Sequence, residues 1–504
     1  MASLLTSVGL TTQKPQFVYP LTDLGNAQMF YRIFGGKVYV EQESGAWIAW
    51  NGKHFLTGES ATMMVMRRYK KIVTARYRQA KSRSPLCTRN DEIVTQKDAL
   101  NWAKATSQFP RMKAMLNMFR DMPGVRISKN KLDQAPYLLG VASGDVIDLR
   151  TGTLIQNRPG LLITRYANAG YDPSAKAPIF LQFMSQICLG RQNLIDYLQE
   201  ILGYSLSGLI KEHAFFLLVG TGANGKSTLI ETFLHLLGEY GIGMPSHAFL
   251  KSNSRAIRND IARLPGVRFA QCAEVNTGMN LDESMVKRAT GGDNMTARYL
   301  GKEFFDFHPS AKLFLSLNTL PKIKGADDGI YRRLVVIPFD GDFQTNMDRD
   351  LTEKLKAEIN GILLWAIEGF MRWYKRGYLN KPTCVVEACT ALREEMDPVA
   401  SFLNDMCITG NSSDSTPLGV LYDAYVQWTQ GSLTEPEKKQ SFSTLMIQKG
   451  FKRVKSGSWL WKGVALKAAP ATNTGNLFGT PFGTPRQPQP STADTASSTT
   501  GLTQ

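Results

Sequence analysis

One stretch of this chain leaves little freedom in what it folds into: the apolar run Phe215–Val219, then Gly220-Thr-Gly-Ala-Asn-Gly-Lys226-Ser227, then Thr228–Gly238 with apolar residues at helical spacing. A buried strand feeding a glycine loop that opens a helix is the context a phosphate-binding loop requires. Gly220, Gly222 and Gly225 let backbone amides face phosphate oxygens, and the helix N-terminus adds positive potential. Lys226 is placed to reach the β- and γ-phosphates and Ser227 to ligate magnesium. Gly220, Thr221, Gly222, Ala223, Asn224, Gly225, Lys226, Ser227 and Thr228 therefore form the expected nucleotide cradle, with ATP and Mg2+ as cofactors.

Around this loop, residues 212–339 alternate apolar strand-like runs with helical stretches, as α/β domains do. Val267–Ala273 ends in Glu274, a carboxylate suited to orienting attacking water or magnesium-bound water. The next run, Ala311–Leu317, ends in Asn318, which is suited to sensing the γ-phosphate or, as a bland alternative, to capping a strand. Arg332 and Arg333 precede another apolar strand. Each is a candidate to reach a neighbouring subunit's nucleotide, or to pair within the chain with Asp327 or Asp328.

Between the second and third strands, residues 296–310 read as a hairpin turning at Gly301–Lys302, with Lys302 at the tip and His308 beyond the second strand as DNA-contact candidates. Phe304 and Phe305 are expected to be buried. Lys plus Arg exceed Asp plus Glu by 59 to 43, which favours a polyanionic partner. Nine of those cations fall between Arg67 and Arg89 with no acid among them, interleaved with Tyr69 and Tyr77, so the segment is either a phosphate-contacting surface or a solvated helix face. Asp145 and Asp148 are three residues apart in a strand-and-turn segment and read as turn residues.

Leu351, Leu355, Ile359, Ile362, Leu363, Ile367, Phe370 and Tyr374 predict one long amphipathic helix. Beyond it, helices and a basic hairpin turning at Ser456–Ser458 suggest a winged helix, with Lys452 and Arg453 as DNA-contact candidates beside Trp459 and Trp461. Six scattered cysteines form no C-x-x-C pair, so neither a disulfide framework nor a metal site is expected from them. No signal peptide and no membrane span is expected, which suggests a cytoplasmic protein, in a host cell if phage-encoded.

In this order, these elements resemble the superfamily 3 helicases, specifically the phage/plasmid primase–helicase family related to the poxvirus helicase-primase. The resemblance runs through LTDLGNA (21–27), SGDVIDLRTG (143–152), LGYSLSG (202–208), GTGANGKST, VKRATGGDNMTARYL (286–300), LSLNTLPKI (315–323) and YRRLVVIPF (331–339). It implies a hexameric, ATP- and magnesium-dependent ring translocating 3′ to 5′ on single-stranded or forked DNA. A composite site between subunits would be built from Lys226, Ser227, Glu274, Asn318 and one of Arg332 and Arg333. A separate primase or polymerase is a further implied partner.

The expected class is α/β: a phosphate-loop NTPase core of the superfamily 3, AAA+-like type, an N-terminal α+β accessory domain and a C-terminal winged-helix domain. The expected boundaries are an extension over 1–16, the accessory domain over 17–185, the ATPase core over 186–345, a helical segment over 346–392, the winged-helix-like domain over 393–467 and a disordered tail over 468–504. Because accessory-type sequence begins near residue 20, no priming activity is expected of this chain. Ala273-Glu274 replaces the paired acids of many relatives, so Glu274 is expected to serve both water and magnesium. Two other readings share the phosphate loop: a kinase, for which no acceptor motif is visible, and an initiator that uses ATP only to assemble on an origin.

Overall fold

The computed structural model describes residues 16–82, 84, 86–88, 93–250, 260–272, 281–301, 303–318, 328–343, 348–431 and 436–467. Glu274, Lys302, the N-terminal extension up to residue 15 and the tail from residue 468 lie outside the described residues. The chain divides into two compact units, Met1–Asp397 and Pro398–Gln504.

The first unit begins with helix α1 (Asp23–Phe34), whose Gly25 amide donates to the Thr22 hydroxyl at 3.0 Å. A four-stranded sheet follows, built from β1 (Val38–Glu41), β2 (Trp47–Trp50), β3 (Phe55–Leu56) and, later in the chain, β4 (Arg126–Ile127), in the order β3-β2-β1-β4. Three helices accompany it: α2 (Gly58–Ala80), α3 (Gln96–Thr106) and α4 (Phe109–Arg120). Phe30, Phe34, Trp47, Val65, Tyr69, Ile72 and Phe119 share their common core.

Part of the basic segment is structural. Buried Arg76 donates to Asn26 Oδ1 at 2.7 Å and to the carbonyls of Tyr19 and Pro20, each at 2.8 Å, and burial lowers its guanidinium to about 10. Tyr69 is buried and donates to the Thr106 carbonyl at 2.7 Å, which removes it from base stacking. A meander follows, of β5 (Leu138–Gly140), β6 (Val146–Asp148) and β7 (Thr153–Ile155). Asp148 accepts from Arg150 at 2.7 Å and Asp145 from Ser143 at 2.9 Å, so both acids are tied into turns. The Arg150 hydrogen bond holds the Asp148 carboxyl below the usual range.

Helices α5 (Pro178–Ile187) and α6 (Gln192–Ser205) lead into a five-stranded parallel sheet. Its strands are β8 (Phe215–Val219), β9 (Gly241–Met244), β10 (Phe269–Cys272), β13 (Lys312–Leu317) and β14 (Leu334–Pro338), in the order β9-β10-β13-β8-β14. Between β10 and β13 come helix α8 (Glu283–Gly291) and the antiparallel pair β11 (Met295–Arg298) and β12 (Phe304–Phe307). Helix α7 (Lys226–Leu237) follows β8. Both faces of β8 and β13 are covered, which explains their near-continuous apolar sequences.

The predicted helix over 351–374 is two: α9 (Leu351–Ala357) and α10 (Ile359–Arg376). The break falls at Glu358, whose carboxylate accepts from the Ile179 amide at 3.1 Å and the Phe180 amide at 2.9 Å, capping the N-terminus of α5. A Cβ on Gly203 of α6 would lie 2.3 Å from both the Ala366 carbonyl oxygen and the Phe370 nitrogen of α10, so these helices touch backbone to backbone. Helix α11 (Thr383–Met396) closes the unit.

The second unit contains α12 (Pro398–Met406), α13 (Leu418–Gly431) and α14 (Lys439–Gln448). Its strands are β15 (Cys407–Thr409), β16 (Ser415–Pro417), β17 (Lys452–Ser456), β18 (Ser458–Lys462) and β19 (Val464–Leu466). Phe402, Tyr425, Phe442, Met446 and Trp461 fill its core. The hairpin turns as expected, with Ser456 opposite Ser458 and Gly457 at φ +71°. All six cysteines are free thiols.

Candidate nucleotide site and nucleic-acid contacts

The glycine loop runs from the end of β8 to the start of α7, at the edge of the parallel sheet where strand C-termini emerge. Gly222, Ala223 and Gly225 have φ of +106°, +45° and +83°. A side chain at Gly225 would also strike Ile187, 2.4 Å from an added Cβ. Among the described residues, the amides of Gly222, Ala223, Asn224 and Gly225 have no protein acceptor. Successive unpaired amides at a helix N-terminus can cradle an anion, so the loop fits a nucleotide phosphate.

Two anchors hold the loop. Buried Asn224 donates to the Phe339 carbonyl at 3.1 Å, and the Phe343 amide donates to the Ala223 carbonyl at 2.9 Å. The Lys226 ammonium is buried and donates to the Gly220 carbonyl at 2.8 Å and Asn224 Oδ1 at 2.9 Å. Arg191 pairs with Asp340 at 2.9 Å, tying the turn before α6 to the residues after β14. Sequence reasoning placed Asn224 in the cradle but missed its role as a pin, because its partner carbonyl is 115 residues away.

Ser227 is exposed in the first turn of α7. Asn318 follows β13 directly and is exposed; the Gly220 amide donates to the neighbouring Leu317 carbonyl at 3.1 Å, so Asn318 and the loop start side by side on adjacent strands. Arg332 and Arg333 precede β14, where Leu334 aligns with Phe215, the first residue of β8. They therefore sit at the opposite sheet edge from the loop, separated by the five residues of β14, about 16 Å. Arg333 donates to the Gly329 carbonyl at 2.7 Å, whereas Arg332 is exposed.

In the β11–β12 pair, Met295, Ala297 and Phe307 are buried and Phe305 is half-buried, stacking on Tyr299 with centroids 5.6 Å apart. The expectation of two buried phenylalanines fails for Phe304, which is 62% exposed beneath the Arg298 guanidinium. A two-stranded ribbon has one covered face, and Phe304 is on the other. His308 is exposed and lies past the base of the ribbon, where Phe307 pairs with Met295, away from the turn at its tip. A contact the sequence did not suggest anchors this region: Lys129 donates to the Tyr299 hydroxyl at 2.6 Å, beside a cavity of about 450 Å3 also lined by Arg165, Glu239 and Arg263.

In the second unit every residue of β17 is exposed, Lys452 faces Lys462 across the ladder, and the Arg453 guanidinium lies over both Trp459 and Trp461. Trp459 is 52% exposed, whereas Trp461 is core. No group of three or more His, Cys, Asp or Glu side chains able to hold a metal occurs among the described residues. No helix among them is long and apolar enough to cross a membrane.

Residues 27–189 match the family described as D5 N terminal like, and residues 218–333 match a family of unknown function, DUF5906. The matches thus set a D5 N terminal like segment ahead of a DUF5906 segment, a domain pair of the primase–helicase type. Two relatives carry the name "Putative helicase". L207/L206 of Acanthamoeba polyphaga mimivirus is 28% identical over 67% of this chain and 38% of its own length. 184R of Invertebrate iridescent virus 6 is 24% identical over 68% of this chain and 40% of its own length. A third, "Putative primase C962R" of African swine fever virus, is 23% identical over 59% and 34%. The chain thus spans about two fifths or less of the length of these relatives. Among solved structures it is similar to the apo NrS-1 C terminal region, at 10% identity and a TM-score of 0.48, covering 88% of this chain and 99% of that one.

Proposed function

We propose that this chain is an ATP-dependent DNA helicase for replication of a phage, plasmid or integrated element, working as a ring of six on single-stranded and forked DNA with 3′ to 5′ polarity. The observation that carries the reading is the anchored glycine loop, with its orphan amides and buried Lys226, side by side with Asn318 in a sheet ordered β9-β10-β13-β8-β14. That order supports a phosphate-loop core of the superfamily 3, AAA+-like type. The amides of Gly222–Gly225 would cradle phosphate oxygens, and Lys226 would exchange its two loop acceptors for the β- and γ-phosphates. Ser227 and Glu274 would hold magnesium, which neutralises charge on the transferred phosphoryl group. Glu274 and Asn318 would position the attacking water.

The arginines before β14 lie too far from their own loop to serve it, which supports a finger acting on a neighbouring subunit. With Arg333 bound within the chain, Arg332 is the stronger candidate. Lys302 would track the DNA strand from the hairpin tip. Helices α12–α14 and the β17–β18 hairpin support a winged-helix reading of the second unit, with Lys452 and Arg453 on phosphates and exposed Trp459 available for stacking. A separate primase or polymerase would act beside the ring in the cytoplasm of the host cell.

The test is ATP hydrolysis by the purified chain with magnesium, with and without single-stranded DNA, beside Lys226→Ala and Glu274→Gln. Hydrolysis that DNA stimulates and both substitutions abolish is expected, together with strand displacement. Nucleotide-dependent rings with negligible turnover would replace the motor with an initiator that uses ATP only to assemble.

A further inference from the structure

Helix α2 separates the basic segment into two sets. Arg76 points into the fold, and Arg68 is spent on the Lys37 and Trp50 carbonyls, its guanidinium over the Phe34 ring at 4.8 Å. Arg67, Lys70, Lys71 and Arg78 on the helix, and Lys81 just past its end, are all exposed. Residues 67, 71, 74, 78 and 81 advance by four, three, four and three, so they form one stripe along the solvent face, with Lys70 beside it. Position 74 is an exposed threonine, and none of the five cations forms an ion pair with a described residue.

Like charges at these spacings oppose helix formation, so the stripe is not accounted for by the helix's own stability. The interior face supplies that stability, through Val65, Tyr69, Ile72, Arg76 and Ala80. The result is a rigid rod whose outer face carries cations over about 21 Å. Measured along the axis of a DNA duplex, that length spans roughly six phosphates of one strand at ~3.4 Å of rise each. No exposed aromatic side chain belongs to the stripe, since Tyr69 is buried and Tyr77 half-buried. Binding to single strands relies on stacking as well as charge, so a stripe of charge alone fits a paired backbone better.

We propose that the outer face of α2 is a docking surface for the sugar-phosphate backbone of double-stranded DNA, independent of sequence. The surface shares no residue with the nucleotide site or with the hairpins, and it does not rest on ATP hydrolysis.

The experiment measures binding of the full chain, without nucleotide, to a short blunt duplex and to a single strand of the same length across a salt series. It compares wild type with the triple variant Arg67→Gln, Lys71→Gln, Arg78→Gln. Three lost phosphate contacts should make the slope of log affinity against log salt shallower by about 2.7 on the duplex and weaken binding at least about tenfold near 0.1 M salt. The charge-keeping variant Arg67→Lys, Arg78→Lys should retain the wild-type slope, which separates charge from any folding defect. A control triple at exposed lysines elsewhere, Lys176→Gln, Lys375→Gln, Lys381→Gln, should leave the slope in place. An unchanged duplex slope in the stripe variant, an equal loss in the control, or a loss confined to the single strand would overturn the proposal. So would unchanged duplex binding alongside lost binding to phosphatidylserine vesicles, which would make the surface a lipid contact. Because no nucleotide is present, failure of the motor reading would leave this result standing.

Discussion

Replacing Gly203 by alanine should damage the first unit far more than the loss of a hydrogen atom suggests. The new Cβ would lie 2.3 Å from two backbone atoms of α10, and Cβ atoms do not approach heavy atoms within 3.0 Å, so α6 and α10 must part by most of an ångström. Neither neighbour is a flexible side-chain end that could swing away. Overpacking of this kind costs about 1–3 kcal/mol, and the upper part of that range applies because the obstruction is main chain. Alanine returns up to ~1 kcal/mol in helix propensity, which leaves a net loss of about 2 kcal/mol. Hydrogen exchange read by mass spectrometry is the suitable assay, because it reports α6 and α10 separately from the second unit. A loss of about 2 kcal/mol lowers protection in residues 192–205 and 359–376 roughly 30-fold. Gly419→Ala is the control: its Cβ would meet nothing within 4 Å, so it should leave α13 unchanged or slightly more protected. Equal behaviour of the two variants would refute the backbone-contact argument.

Asn224→Ala should leave the buried Phe339 carbonyl unpartnered and remove an acceptor from Lys226, at about 1–3 kcal/mol, and weaken nucleotide binding measured by calorimetry; unchanged affinity would remove Asn224 as the pin of the loop. Lys312 is buried against the carbonyls of Ser207, Leu209 and Ser310, and burial pulls its ammonium well below its ordinary value. Between that lowered value and ~10.5 the unfolded chain binds the extra proton, so stability should rise with pH there, and Lys312→Met should flatten the rise in urea melts between about pH 8 and pH 10. Mixing Arg332→Ala with Lys226→Ala chains should restore part of the ATP hydrolysis each lacks, through interfaces that pair an intact loop with an intact arginine; mixtures no more active than their components would assign Arg332 an intrachain role.

The sequence by itself determined what depends on neighbours along the chain. An apolar strand, a glycine loop and an amphipathic helix are local patterns, so the position of the loop, of Lys226, and of the β17–β18 turn at Gly457 could be read directly. Burial on both faces made β8 and β13 legible as apolar runs. The tertiary structure decided everything that depends on which face a residue turns and who meets it. Periodicity carried through Glu358 without a pause, and only the N-terminus of α5, nearly two hundred residues earlier, explains why the helix breaks there. Identical arginines in α2 became opposite things: Arg76 a buried strut on Asn26, Arg67 and Arg78 a charged outer face. Phe304 and Phe305 are neighbours in sequence and differ in exposure, because a ribbon has one covered side. Asn224 became an anchor only once β14 brought Phe339 alongside. Local pattern encodes backbone conformation, but which partners a side chain meets is settled by contacts between distant segments, and a single sequence does not record those distances.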